Sequence, residues 1–180
     1  IGDQVWMAEN LNFDPGDVSG MGETAWSGCY NNESANCSKY GRLYTWEVAM
    51  DNAECAFGKS CSISPENSVQ GICPEGWHLP SSTEWNDLWS AVGGSDNAGT
   101  KLKSTKGWSE GSDSFGFAVL PAGYRKPDSN FEGEGGDASI WRSDADGAQY
   151  AKYWKFSNAA NVGGWSGYKS FAFSVRCLKD

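Results

Sequence analysis

Apolar residues in LPSSTEWNDLWSAVGG (79–94) fall at Trp85, Leu88, Trp89 and Val92, an i, i+3, i+4, i+7 spacing that predicts a helix with one buried face. Ser81 and Glu84 stand at the S-x-x-E spacing of a capping box, in which each side chain satisfies a backbone donor at the helix start. Gly93-Gly94 stops the helix. Leu43, Trp46, Val48 and Met50 repeat more loosely and predict a second helix over 42–51, while AGTKLKS (98–104) predicts a short helical turn.

Elsewhere the period is two. VWMAENLNF (5–13) alternates as a strand or strand pair, and FGFAVLPAGYR (115–125) as strand, turn, strand. SIWRS (139–143), QYAKYWKFS (149–157) and SFAFSVRCL (170–178) complete the strand candidates. In the last, Phe171, Phe173, Val175 and Cys177 share one face and Ala172, Ser174 and Arg176 the other, as in a half-buried strand. On QYAKYWKFS, Tyr150, Lys152, Trp154 and Phe156 share a face and Tyr153 lies opposite; Trp154 and Phe156 are expected in the core. Residues 52–72 and 126–139 read as polar loops, and NVGGWSGYKS (161–170) as a flexible aromatic loop. Helices early and strands late predict an α+β class with a late antiparallel sheet, not alternating βαβ units. Without a repeat or internal linker, 1–180 reads as a single module, and Ile1 in place of a methionine suggests one excised from a longer secreted protein.

Composition sharpens this picture. Ten tryptophans stand against three methionines, so rings supply much of the core and several are expected at the surface. The net charge is −9, from 14 Lys+Arg against 23 Asp+Glu, with no basic run; nucleic acid and anionic membranes are thereby excluded as partners. No apolar run approaches the roughly 18 residues that span a bilayer. Six cysteines without a C-x-x-C pair argue for disulfides over zinc. Of the many pairings open to them, Cys29 with Cys37 and Cys55 with Cys61 enclose short polar loops, which leaves Cys73 with Cys177. Oxidised cysteines imply an extracellular or periplasmic setting.

The segments GDQVWMAENLNF, YGRLYTWEVAM, CPEGWHLPSSTEW, AGTKLKS, FGFAVLPAGYR and FSVRCLKD follow in order along essentially the whole chain. In them the chain resembles the Fibrobacter succinogenes major paralogous domain, a secreted bacterial module. That family in turn resembles the C-type lectin-like fold of formylglycine-generating enzymes and variable retroelement proteins. The resemblance implies two helices, chain ends joined in one sheet, and a long loop region before the last strands. It also implies Cys73–Cys177 as the core disulfide. One departure is visible: where relatives carry an aromatic-Trp-Ser-Ser-Thr-like segment, SIWRSDAD (139–146) places Arg142 and Asp144, in the region expected to vary with ligand.

Candidate chemistry is sparse. The lone His78, between Trp77 and Leu79, reads as structural and supplies neither a His-rich metal site nor a Ser–His–Asp triad, and no G-x-S-x-G elbow is present. Fully paired cysteines leave no nucleophilic thiol. A carboxylate pair for glycoside hydrolysis stays open, because sequence does not give separations in space. DADG (144–147) fails as an EF-hand, since Arg142 and Tyr153 fall where the first and last ligands belong. In DSNFEGEGGD (128–137) Ser139 replaces the final glutamate of that motif. Asp128, Asn130, Glu132 and Glu134 still cluster as oxygen ligands for a hard cation such as calcium, although no cofactor is required. The Glu-Pro-Asn and Gln-Pro-Asp triplets of calcium-dependent lectins are absent, and WND (85–87) sits within the predicted helix.

Ring surfaces remain. Trp141, Tyr150, Tyr153, Trp165 and Tyr168 are interleaved with Arg142, Asp144, Asp146, Asn158 and Asn161, the mixture of apolar platforms and hydrogen-bonding groups that a saccharide needs. The expectation is a non-catalytic carbohydrate-binding or adhesion module, monomeric within a multidomain secreted or surface protein. The bacterial setting of the resembled family implies plant cell-wall polysaccharide such as cellulose. A display domain binding a surface protein through the same loops, and a glycan-active enzyme, are the alternatives.

Overall fold

A computed structural model describes residues 1–62 and 68–180. Residues 63–67 of the loop expected over 52–72 lie outside the described residues. In chain order the elements are β1 (Ser27–Gly28), α1 (Ser34–Tyr40), β2 (Leu43–Tyr44), α2 (Trp46–Ala49), β3 (Trp77–His78), α3 (Ser82–Ala91) and α4 (Ser95–Leu102). Then follow β4 (Ala122–Arg125), β5 (Phe131–Glu134), β6 (Ala138–Asp146), β7 (Tyr150–Phe156), β8 (Gly163–Tyr168), β9 (Phe173–Ser174) and β10 (Leu178–Lys179). The result is a mixed α and β fold. An eight-stranded sheet runs β1-β2-β9-β6-β4-β5, with β7 and β8 extending from β6 as an antiparallel ribbon. Its β4–β6 and β6–β9 pairings are parallel, so the sheet is mixed where an antiparallel one was expected. A separate pair joins β10 to β3.

The alternation of β6 explains why the core lies on both sides of the sheet. Trp141 points into one cluster with Tyr44, Trp46, Phe173 and Val175, and its neighbour Ile140 into a second with Trp85, Leu88, Phe117 and Phe156. The second cluster is closed by α3. Its capping box is formed, with Ser81 accepting from the Glu84 amide and Glu84 accepting from the Ser81 amide. Trp85, Leu88, Trp89 and Val92 are all buried as their spacing predicts. The CPEGWHLPSSTEW segment (73–85) thus supplies the start of the helix and its first buried ring. His78 bridges Glu84 at 2.6 Å and Asp180 at 2.7 Å, so it ties the β3–β10 pair to the start of α3.

Several sequence expectations fail for identifiable reasons. The helix over 42–51 shrinks to α2, because Leu43 and Tyr44 are claimed by the sheet between β1 and β9. Residues 5–13 form no strand. They run beside the last residues with scattered bonds, Met7 to the Cys177 carbonyl and Leu11 to that of Val175, and a single bridge at Trp6. The polar loop between Cys29 and Cys37 contains the first turn of α1, which runs on to Tyr40. Only Ala122–Arg125 of the 115–125 segment is a strand, the 126–139 loop contains β5, and the 98–104 turn belongs to an eight-residue α4. The last strand is broken into β9 and β10, and both of its faces are buried, down to Ala172, Ser174 and Arg176. Of ten tryptophans only Trp165 is exposed.

The disulfides are Cys29–Cys37, Cys55–Cys61 and Cys73–Cys177. Three bridges suit an oxidising, non-cytoplasmic setting. Among the described residues no helix is long and apolar enough to cross a membrane.

One core residue makes stability sensitive to pH. Glu47 on α2 is fully buried; Oε1 accepts from Thr24 at 3.0 Å, while Oε2 finds no partner among the described residues. Burial raises its pKa above the ordinary 4.5. The native state then holds the proton more tightly than the unfolded chain. The resulting stability is complete below the unfolded pKa and lost as pH rises through the folded one. Glu47→Gln is expected to flatten the pH–stability curve between acid and neutral pH and raise the melting temperature at pH 7. Melting curves across that range test it, and an unchanged slope would exclude Glu47 as the source.

Candidate functional site

Past the core, the β7–β8 ribbon carries rings on a strand of small residues. In β8, three glycines leave room for them. A Cβ on Gly164 would meet the Trp154 ring at 2.9 Å, one on Gly167 the Tyr153 ring at 3.1 Å, and one on Gly163 the Trp165 indole at 2.5 Å. The segment expected to be a flexible loop is thus a strand paired along its length with β7, Tyr153 opposite Trp165 and Tyr150 opposite Tyr168. Two supports hold the ribbon. Lys103 is buried and donates to the carbonyls of Ser157 and Ala159 at 2.9 and 3.0 Å, staking the β7–β8 connection onto α4. At the other end Lys169 donates to the Lys59 carbonyl at 2.8 Å, and the Gly58 amide to that of Ala148. The Cys55–Cys61 loop is thereby docked against the β6–β7 turn.

That docking sets Phe57 edge-on to Tyr168, ring centres 6.0 Å apart. Tyr168 stacks on Tyr150 at 4.6 Å and lies within 6° of parallel to Phe171 at 6.4 Å. Phe57, Tyr150 and Tyr168 are exposed, and Trp165 is 60% exposed on the same ribbon. Beside the rings a pocket of about 250 Å³ is lined by Tyr124, Tyr153, Lys155, Ser166, Gly167 and Phe171, among others. Burial, followed by the bond from its hydroxyl to Glu132 at 3.0 Å, pushes the Tyr124 pKa up to about 12. Burial likewise raises that of Tyr153. Both phenols therefore stay protonated at neutral pH and can donate as well as accept. Lys155 pairs with Asp137 at 3.1 Å.

The sequence-predicted site residues divide. Tyr150, Tyr153 and Tyr168 line the pocket here, and Trp165 lies on the same ribbon opposite Tyr153. Asp146 joins their edge, accepting from Ser166 at 2.5 Å. Trp141 does not; it is fully buried, its indole donating to the Tyr44 carbonyl at 2.8 Å. Arg142 is buried with its guanidinium 4.8 Å from the Trp154 ring, and Asp144 accepts from the Ser82 amide at 2.9 Å, capping α3. Of the two unusual residues of SIWRSDAD, Asp144 therefore braces the helix and Arg142 packs over β7. Asn158 and Asn161 are exposed but flank the connection near α4; Asn158 accepts from Ser109 at 3.2 Å. Sequence reasoning missed Phe57, Tyr124 and Phe171. The signal available for Phe57 was a ring held within a six-residue disulfide span.

The acidic residues nominated for calcium are engaged elsewhere. Lys126 lies 2.8 Å from Glu132 and 3.8 Å from Asp128, and Asp128 also accepts from the Asn130 amide. Glu134 accepts from the Tyr40 hydroxyl at 2.9 Å. Among the described residues no group of three or more His, Cys, Asp or Glu side chains is placed to hold a metal ion.

The family of the Fibrobacter succinogenes major domain matches residues 1–179. The chain belongs to that family. No curated protein and no solved structure matches it.

Proposed function

We propose that the chain is a non-catalytic carbohydrate-binding module of a secreted or surface bacterial protein, with the β7–β8 ribbon as its binding face. The observation that carries this reading is the row of solvent-open rings, Tyr150 stacked on Tyr168 with Phe57 beyond it, on a ribbon whose Trp165, paired with Tyr153, is exposed as well. Sugar rings offer apolar C–H faces to such platforms, and their hydroxyls meet the phenols and Ser166 in the adjoining pocket. The lone histidine is committed between two carboxylates, and all six cysteines are in disulfides, which favours binding over catalysis. We read the fold as C-type lectin-like. The chain ends meet at the Trp6–Leu178 bridge, and Cys73–Cys177 ties the approach to α3 to the last strands.

Pull-down on insoluble cellulose and hemicellulose, with a glycan array and with or without chelator, tests the reading. Trp165→Ala and Tyr168→Ala are expected to weaken binding about tenfold each, since a stacked ring contributes roughly 1 kcal/mol beyond its area. The melting temperature should barely move, because Trp165 is exposed. Gly167→Val should abolish occupancy of the pocket by placing its side chain against Tyr153 and Phe173. Capture of a surface protein with no glycan bound would replace this reading with that of a protein-binding display domain, and loss of glycan binding in chelator would restore a role for calcium.

A further inference from the structure

On another part of the surface a larger pocket, about 410 Å³, opens between residues 8–12, the end of α1, and the segments around Ser104 and Ala118. Its wall includes Arg176, only 1% exposed. The guanidinium lies between two other parts of that wall. Nη2 donates to Asn10 Oδ1 at 2.7 Å and Nη1 to the Phe117 carbonyl, while the Phe117 ring sits 4.4 Å from its central carbon. Nε has no partner, and no carboxylate forms an ion pair with the group, among the described residues. Burial pulls its pKa down to about 9, so it remains a cation at neutral pH. Asp113 and Glu9 act on it only from beyond ion-pair distance, so the buried charge is incompletely offset, and an anion entering the pocket would offset more of its cost.

The surroundings fit such a ligand. Lys39 and Lys106 also line the pocket, against Glu9 as its one acid, so a chain of net charge −9 gathers positive charge here. Asn12, Ser38 and Ser104 add uncharged hydrogen-bonding groups around it. We propose that this pocket binds a polyhydroxylated monocarboxylate, a hexuronate unit, with its carboxylate toward Arg176 and Lys106 and its hydroxyls toward Asn12, Ser38 and Ser104. Asn10 and Phe117 each take one of the guanidinium's five N–H groups, and the unpartnered Nε is a donor left over for a carboxylate. Glu9 in the same wall disfavours a dianion such as phosphate. The volume falls in the roughly 300–1,000 Å³ range of small-molecule sites. No residue of this pocket lines the one at the ribbon, so the two sites stand or fall separately.

Titration of the full chain with glucuronate, glucose, acetate and inorganic phosphate, followed by NMR shifts or calorimetry, decides the matter. Saturable glucuronate binding is expected, about tenfold tighter than glucose or acetate and weakened by added salt. Lys106→Gln should reduce it about tenfold while leaving capture of neutral polysaccharide at the ribbon unchanged. Arg176→Lys, which keeps the charge and loses the fork, should reduce it further; if that variant does not fold, Lys106→Gln decides alone. Absence of saturable glucuronate binding, equal affinity for glucose or phosphate, or indifference to Lys106→Gln would overturn the proposal.

Discussion

Replacing Cys73 and Cys177 together with alanine is expected to lower the unfolding free energy by about 2–5 kcal/mol. The bridge joins positions 104 residues apart, and both sulfurs lie in the core cluster with Trp46, Trp141 and Val175. Cutting it releases the longest closed loop of the chain to the unfolded ensemble and leaves small cavities in the native one. The other two bridges span separations of 8 and 6 residues, so loop-closure entropy assigns them less. Denaturant unfolding of the three double-alanine variants checks the order. If the Cys55/Cys61 variant lost as much as the Cys73/Cys177 variant, chain closure would not be the source of the effect. The short bridge has a different consequence: it holds the loop that presents Phe57, so its loss should appear in ligand affinity before it appears in stability.

The sequence was most legible where one local signal settles the matter. Helix α3 was readable because capping box, apolar stripe and glycine stop agree within sixteen residues, and the cysteine spacing likewise led to the observed bridges. Long-range competition hid the rest. Leu43 and Tyr44 have helical neighbours, but their backbone bonds go to β1 and β9, the latter some 130 residues downstream. Phe171–Cys177 alternates like a half-buried strand, yet the opposite face is also covered, and Arg176 on it faces a pocket wall instead of water. At the candidate site the late aromatic region was singled out, and four of its rings lie on the β7–β8 ribbon. Which rings are free was not readable, because Trp141 and Trp165 share one face of the sheet with Tyr153 between them, and differ in that Trp141 lies on a central strand and Trp165 on the edge strand β8. Composition also misleads here: ten tryptophans suggested several exposed ones, but only Trp165 is, while Trp85, Trp89 and Trp154 pack against one another between α3 and β7.

That stacking makes Trp85 the residue whose loss should cost most. It is fully buried on α3, with ring centres 4.7 Å from Trp6, 5.2 Å from Trp89, 6.0 Å from Phe117 and 6.4 Å from Trp154. Trp85→Ala is expected to destabilise by about 3–5 kcal/mol, since so many rigid rings cannot collapse into the void. For a chain of this size the melting temperature should fall by roughly 6–20 °C. Trp85→Phe should cost much less: it keeps a ring and removes an indole N–H that has no partner among the described residues. The effect reaches the ribbon. Trp154 lies in β7, between this cluster and Gly164 of β8, so a cavity behind it loosens the backing of the exposed rings. Measured well below its melting point, Trp85→Ala should therefore lose glycan affinity along with stability, whereas Trp165→Ala loses affinity alone. A Trp85→Ala protein within about 1 kcal/mol of the parent would mean that the neighbouring rings close the gap, and that the ribbon does not depend on α3 for its rigidity.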